Sequence, residues 1–404
     1  MNSIFGYLFP LLLTCASCAQ VQKDPSGTFL EKHLSTVPKD CVFDGSATFA
    51  SNGRSVAYIV NCNDAEYQSH PDDGPMRVIF RNEKGPLFHQ IAGTWGLEVS
   101  GDGLHVGYSA SKTKDFRAVV DTTIVEWGSG FPHFSPDSST VAYWQRDDRG
   151  HRLIVGAKVI AESKDPLQFL SFSPDGKRVA YLASRFIEWP PGKSSPEYRQ
   201  VLMIDGLQVS EEHCDIRGFH FSPRGNSFAY IGYEDPFMRI QRLVVGDKKG
   251  PEFHWIGNFS FSPDGQRVAY SASNGKRTSV YIGENDIAPE FDDASDPVFT
   301  PDGSQVVFLG GVGKKSYVVM GDHRWELHGG KSWQPLVVSP DGHRVAYVAS
   351  AEGGGHHIVV GDQIGEVSDG ICTPPIFSPD SKKIAYGARN GREFWWKVLN
   401  ISDN

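Results

Sequence analysis

Apolar and polar positions alternate along this chain in short bursts separated by tight polar turns, and one burst sets the pattern for the rest. Residues 172–181 read FSPDGKRVAY: an apolar anchor, a polar turn and an outgoing apolar segment. In that segment Val179, Tyr181 and Ala183 fall on one face while Ala180 and Leu182 fall on the other. A period of two predicts a strand, and apolar residues on both faces predict that it is covered on both sides. Ser173, Pro174, Asp175 and Gly176 supply the turn. Proline presets φ, aspartate bonds its own backbone, and glycine takes the left-handed position that closes a bulged hairpin.

Near-copies close on Tyr58, Tyr108, Tyr143, Tyr181, Tyr230, Tyr270, Phe308, Tyr347 and Tyr386. This is a repeat of about 40 residues, the period of four-stranded propeller blades. A second apolar run with a turn dipeptide follows each copy, as in LVVGD (243–247), VVMGD (318–322), IVVGD (358–362) and LMIDG (202–206). Gly-Asp and Asp-Gly supply the positive φ angles of tight hairpins. Each unit therefore holds strands a, b, c and d. The expectation is an all-β fold, a single β-propeller of nine four-stranded blades, with eight as the alternative because nine lies outside the common range. The ninth repeat ends in a c strand, FWWKVL (394–399). A d strand borrowed from the N-terminal side, at 36–41, is expected to close the ring, with Pro38 tolerable there only on an outer edge.

A chain of 404 residues could hold several domains, but a repeat without a break argues for one, at 41–404. The net charge of −9 and the lack of any Lys/Arg run beyond a pair give a nucleic-acid role no electrostatic support. Residues 1–19 stand outside the repeat, with an apolar stretch from Ile4 to Leu13 followed by small residues, and read as an export signal. Ala16, Ser17 and Cys18 resemble a bacterial lipobox. Two readings are open: lipidation of Cys18, or ordinary cleavage before Gln20. Residues 20–40 read as a tether that also supplies the closing strand. The expected location is outside the cytoplasm, in the periplasm or anchored at the outer membrane, with a secreted soluble protein as the alternative. Membrane contact is expected only through the lipid anchor. Cys41 and Cys62 flank the first hairpin and fall opposite each other, either as a disulfide or as two buried thiols.

The FSPDGxRVAY signature resembles the repeats of TolB-type propellers and of the propeller domains of prolyl-oligopeptidase-type peptidases, over about residues 42–401. The resemblance implies the fold and says little of function, since such repeats serve many roles. A Tol–Pal role is not carried over, because the separate N-terminal domain of TolB is not expected here. The peptidases' chemistry belongs to a hydrolase domain with a G-x-S-x-G elbow, and no such pentapeptide occurs. No P-loop or H-E-x-x-H occurs either. No catalytic residue, metal or cofactor is assigned.

Insertions are more informative. The b–c connection is longest between Tyr181 and Gly206, next longest between Tyr58 and Asn82, and slightly extended between Tyr230 and Asp247. In a propeller the b–c and d–a connections emerge on one face, where insertions commonly mark a binding surface. The candidate binding residues are Trp189, Tyr198 and Arg199 in repeat four, Tyr233, Phe237 and Arg239 in repeat five, and Tyr67 and His70 in repeat one. A protein or small-ligand partner is expected there. The bland reading is that long exposed loops tolerate elaboration. Trp95, Trp127, Trp255 and Trp333 precede a strands near the same face, as blade covers or as ligand contacts. His133 and His220 each precede an anchor Phe; they read as packing between blades, with a metal pair as the minor reading. Asp292, Asp293 and Asp296 read as a solvated acidic loop. The leading functional expectation is a non-catalytic exported binding or scaffolding module, and the alternative is a carbohydrate lyase or hydrolase working at the central pocket.

Overall fold

The computed structural model describes residues 29–402 except 64–67, 69–74, 94–95, 113–115, 126–130, 189–196, 236, 238 and 328–334. Among the described residues nine antiparallel sheets follow one another along the chain, making a nine-bladed propeller. Seven sheets have four strands, and in the other two the inner strand is broken into two pieces. Blade 4 shows the plan with Leu167–Phe172, Val179–Glu188, Glu197–Ile204 and Leu207–Gln208 as strands a to d. Its b strand is covered on both faces, with Val179, Ala180, Tyr181 and Leu182 all buried.

The turns explain why the motif repeats. Gly176 sits at φ 70°, where a side chain is strained. Ser173 is fully buried and is the hub. Its hydroxyl donates to Asp175 Oδ1 (2.6 Å) and accepts the Arg178 N–H (2.9 Å). Asp175 in turn accepts the Lys177 N–H (3.2 Å). The same bonds hold a copy without Pro, where Ser100 bonds Asp102 and the His105 N–H, and a copy without Gly, where Ser135 bonds Asp137 and the Thr140 N–H.

The core lies between blades. Tyr58 and Phe49 of blade 1 pack with Phe394 and Trp396 of blade 9. Ile231 of blade 5 packs with Phe259 of blade 6, and Val318 of blade 7 with Tyr347 of blade 8. The seam between blades 2 and 3 is more polar. Glu98 accepts the Phe134 N–H (3.1 Å) and lies 2.9 Å from His133 Nδ1, while the Asp102 N–H donates to Ser138 Oγ (3.1 Å).

The ring is closed by an N-terminal strand, Lys32–Thr36, which pairs antiparallel with Glu393–Asn400 as the outer strand of blade 9. The expected position, 36–41, is therefore corrected. Pro38 has no N–H to give to a ladder, and the segment around it is held instead by Arg392. Val37 N–H donates to Arg392 O (2.8 Å), and the Arg392 guanidinium donates to Cys41 O (3.0 Å). Cys41 and Cys62 form a cross-strand disulfide between strands a and b of blade 1, with Cα atoms 4.0 Å apart. The acidic segment is also corrected in part: Asp293–Phe299 is strand a of blade 7, and Asp296 Oδ1 accepts the amide of Asn258 from blade 6 (2.6 Å).

Candidate functional site

The longest insertion is mostly strand rather than loop. Strands b and c of blade 4 continue past the body of the sheet as a two-stranded ribbon, with Arg185 opposite Arg199 and Phe186 opposite Tyr198. Strand a stops pairing at Ala183, so the ribbon projects from the face where the b–c connections emerge. Phe186 and Tyr198 meet edge to face, 5.7 Å between centroids, and both remain exposed, as does Ile187. Cross-strand aromatic pairs of this kind hold a ribbon that has no third strand.

Blade 5 presents the neighbouring loop. Asp235 organises it by accepting the N–H groups of Phe237, Arg239 and Ile240. Phe237 is 69% exposed, and the Arg239 guanidinium lies over its ring at 5.0 Å. In blade 6, Trp255 opens strand a and is also exposed. Phe131, just before strand a of blade 3, joins them. Among the described residues, the exposed large aromatics Phe131, Phe186, Tyr198, Phe237 and Trp255 all lie at the b–c and d–a face of blades 3 to 6. Phe186, Ile187 and Phe131 were not singled out from sequence; a two-residue alternation past Ser184 is the signal that could have found the first.

Other candidates sit elsewhere. Tyr233 is buried in the seam of blades 5 and 6, with the Arg217 guanidinium 5.1 Å from its ring centroid, so it belongs to the core and not to the surface. Arg199 turns inward and donates to Cys214 Sγ (2.8 Å). Below the two loops His213 is buried, with Nε2 3.2 Å from Tyr230 Oη and Nδ1 3.8 Å from Glu234 Oε1. Burial pushes its imidazole below the usual range. Arg242 Nε also approaches Glu234, at 3.7 Å. Trp189, Tyr67, His70, Trp95, Trp127, Trp333 and Cys18 lie outside the described residues.

His133 and His220 are not brought together. The first faces Glu98, and the second lies edge-on to Phe259 with ring centroids 5.1 Å apart. Among the described residues no group of three His, Cys, Asp or Glu is placed to hold a metal. No helix among them is long and apolar enough to cross a membrane.

The sequence matches no protein-family model, and no curated protein matches it. Solved structures to which the chain is similar include a eukaryotic initiation factor, at 11% identity over 88% of this chain and 88% of that one, with a TM-score of 0.47. TolB from Acinetobacter baumannii is similar at 14% identity over 76% and 79%, with a TM-score of 0.33. The β-propeller domain of the Trilobed protease from Pyrococcus furiosus is similar at 15% identity over 59% and 86%, with a TM-score of 0.39. At these identities and scores the likenesses assign no function.

Proposed function

We propose that this propeller is a non-catalytic binding or scaffolding module of the bacterial cell envelope, exported on residues 1–19 and held at the membrane through a lipidated Cys18. The observation that carries the reading is the gathering of exposed aromatics on one face of blades 3 to 6. Exposed apolar groups that cluster on one side of a protein favour association, and Trp, Tyr and Arg are the residue types that dominate binding energy in interfaces. The ribbon carrying Phe186 and Tyr198 is rigidified by its own ladder, so little order has to be gained on docking. The hydrogen bond of His133 to Glu98 and the edge-on contact of His220 with Phe259 favour structural duties for them over the central-pocket enzyme.

Replacing residues 186–198 with a short Gly-Ser linker tests the docking surface. The expected result is loss of the partner captured from an envelope extract by the intact protein, with the fold retained. A partner captured undiminished overturns the assignment of that face. Mass spectrometry of the mature N-terminus tests the anchor, and an unmodified Gln20 terminus overturns it.

A further inference from the structure

On the face opposite the aromatic one, a cleft of about 360 Å³ opens between the outer part of blade 7 and the lower end of blade 8. The residues that follow the last strand reach its edge. Its apolar wall includes the half-buried indole of Trp325 and the buried ring of Tyr347. Its rim is polar, with Arg344 from the a–b turn of blade 8 and Asp362 from the c–d turn. Gln363 braces that rim in both directions: Nε2 donates to Asn400 O (2.8 Å), and Oε1 accepts the Ser402 N–H (3.1 Å). These bonds fix the Gln363 side of the rim against the residues that follow the last strand.

We propose that this cleft binds a neutral saccharide of one or two rings. Small-molecule sites run from about 300 to 1,000 Å³ and combine an aromatic or apolar wall with a few polar groups that fix orientation. The cleft is at the lower end of that range. An indole offers a flat apolar surface to the C–H face of a pyranose. The rim supplies both a donor, Arg344, and an acceptor, Asp362, which suits hydroxyls that donate and accept at once. Charge argues against an anion. Arg344 already faces Asp341 (Nη1 to Oδ2, 3.4 Å), so with Asp362 the rim carries two carboxylates against one guanidinium, and an acidic ligand would meet like charge beside its partner. The site lies on the other face from the aromatic cluster and stands whether or not that cluster docks a protein.

The test is ligand-observed NMR with calorimetry on the full-length protein, using maltose, cellobiose and N,N′-diacetylchitobiose as probes and galacturonate as the charged control. Saturable binding of at least one neutral probe is expected, weakened about two- to tenfold by Asp362→Asn, the loss of one good acceptor. Trp325→Ala should abolish it. Because Trp325 also packs against blade 8, Asp362→Asn, an exposed near-isosteric change, decides the matter if that variant does not fold. No saturable binding of any neutral probe, binding unchanged in Asp362→Asn, or galacturonate binding more tightly than all three would each overturn the proposal.

Discussion

The ring of Tyr58 in blade 1 stacks on Phe394 in blade 9, 4.4 Å between centroids with planes 27° apart, and its hydroxyl lies 2.9 Å from Ser35 Oγ on the closing strand. One side chain thus touches both sheets at the seam where the ends of the repeat array meet. Burial raises the phenol pKa and keeps the hydroxyl protonated and able to donate. Phe394→Ala removes a fully buried ring and should cost about 3–5 kcal/mol. Tyr58→Phe keeps the stack, loses the hydroxyl's bonds to Ser35 Oγ and to the Thr36 carbonyl (3.2 Å), and should cost about 1–2 kcal/mol. Urea unfolding of both variants checks this; equal losses would show that the hydroxyl carries as much of the closure as the stack.

The disulfide reinforces the same blade. Cys41 and Cys62 are 21 positions apart and pair directly across strands a and b. Restricting an unfolded loop of that length is worth about 3 kcal/mol in the chain-entropy account. The unfolding midpoint should therefore fall in dithiothreitol, and by a similar amount in the Cys41→Ala/Cys62→Ala variant. A midpoint indifferent to both means that the packing around Phe43 and Phe394 already carries the seam.

The blade plan was legible because it is local: a buried b strand such as Val179–Glu188 writes its two apolar faces into consecutive residues, and the turn writes Ser, Asp and Gly at fixed offsets. The closing strand was not legible in the same way. Lys32–Thr36 reads KHLST, and what buries Ser35 is hydrogen bonding to Tyr58 and to Asn82 Oδ1 (2.6 Å), partners distant in sequence. The candidate surface was readable as a face but not residue by residue. Phe237 and Tyr198 are exposed as expected, whereas Tyr233 is one residue type with two fates, and the strand register places it inward beside Arg217. Insertion length carries no information on whether the extra residues form a loop or prolong a hairpin.

Stability should fall in two stages on acidification. Burial pushes the His220 imidazole down to about 4. Between pH about 6.5 and 4 the unfolded chain binds a proton there that the folded chain refuses, so stability drops as pH drops. The second stage comes from the turns. Hydrogen bonds from Ser173, Ser262, Thr300 and Ser378 hold Asp175, Asp264, Asp302 and Asp380 below the usual carboxylate range, Asp302 down to about 2. Their contribution is present above pH about 4 and is lost as pH falls through the folded values. Urea midpoints measured from pH 7 to 2 check both stages. His220→Gln should weaken the upper one, leaving the share of the buried His213 and the half-buried His151, and Asp302→Asn should weaken the lower; a midpoint that rises on acidification contradicts the assignment.

The last prediction separates surface from core on the candidate face. Tyr198 and Phe237 are exposed, whereas Tyr233 is buried among residues of blades 5 and 6. Tyr198→Ala and Phe237→Ala should each change stability by less than about 1 kcal/mol, since an exposed substitution forfeits at most an edge-to-face contact such as that with Phe186. Each should weaken partner capture by about 1–2 kcal/mol or more if the face docks a protein. Trp189→Ala is expected to weaken capture likewise. Tyr233→Ala should do the reverse, destabilising by about 3–5 kcal/mol because it empties a seam between blades. Thermal unfolding beside quantitative capture distinguishes the two classes. Capture lost only in proportion to lost fold, with Tyr198→Ala and Phe237→Ala both silent, would mean that the exposed aromatics decorate the face without binding anything.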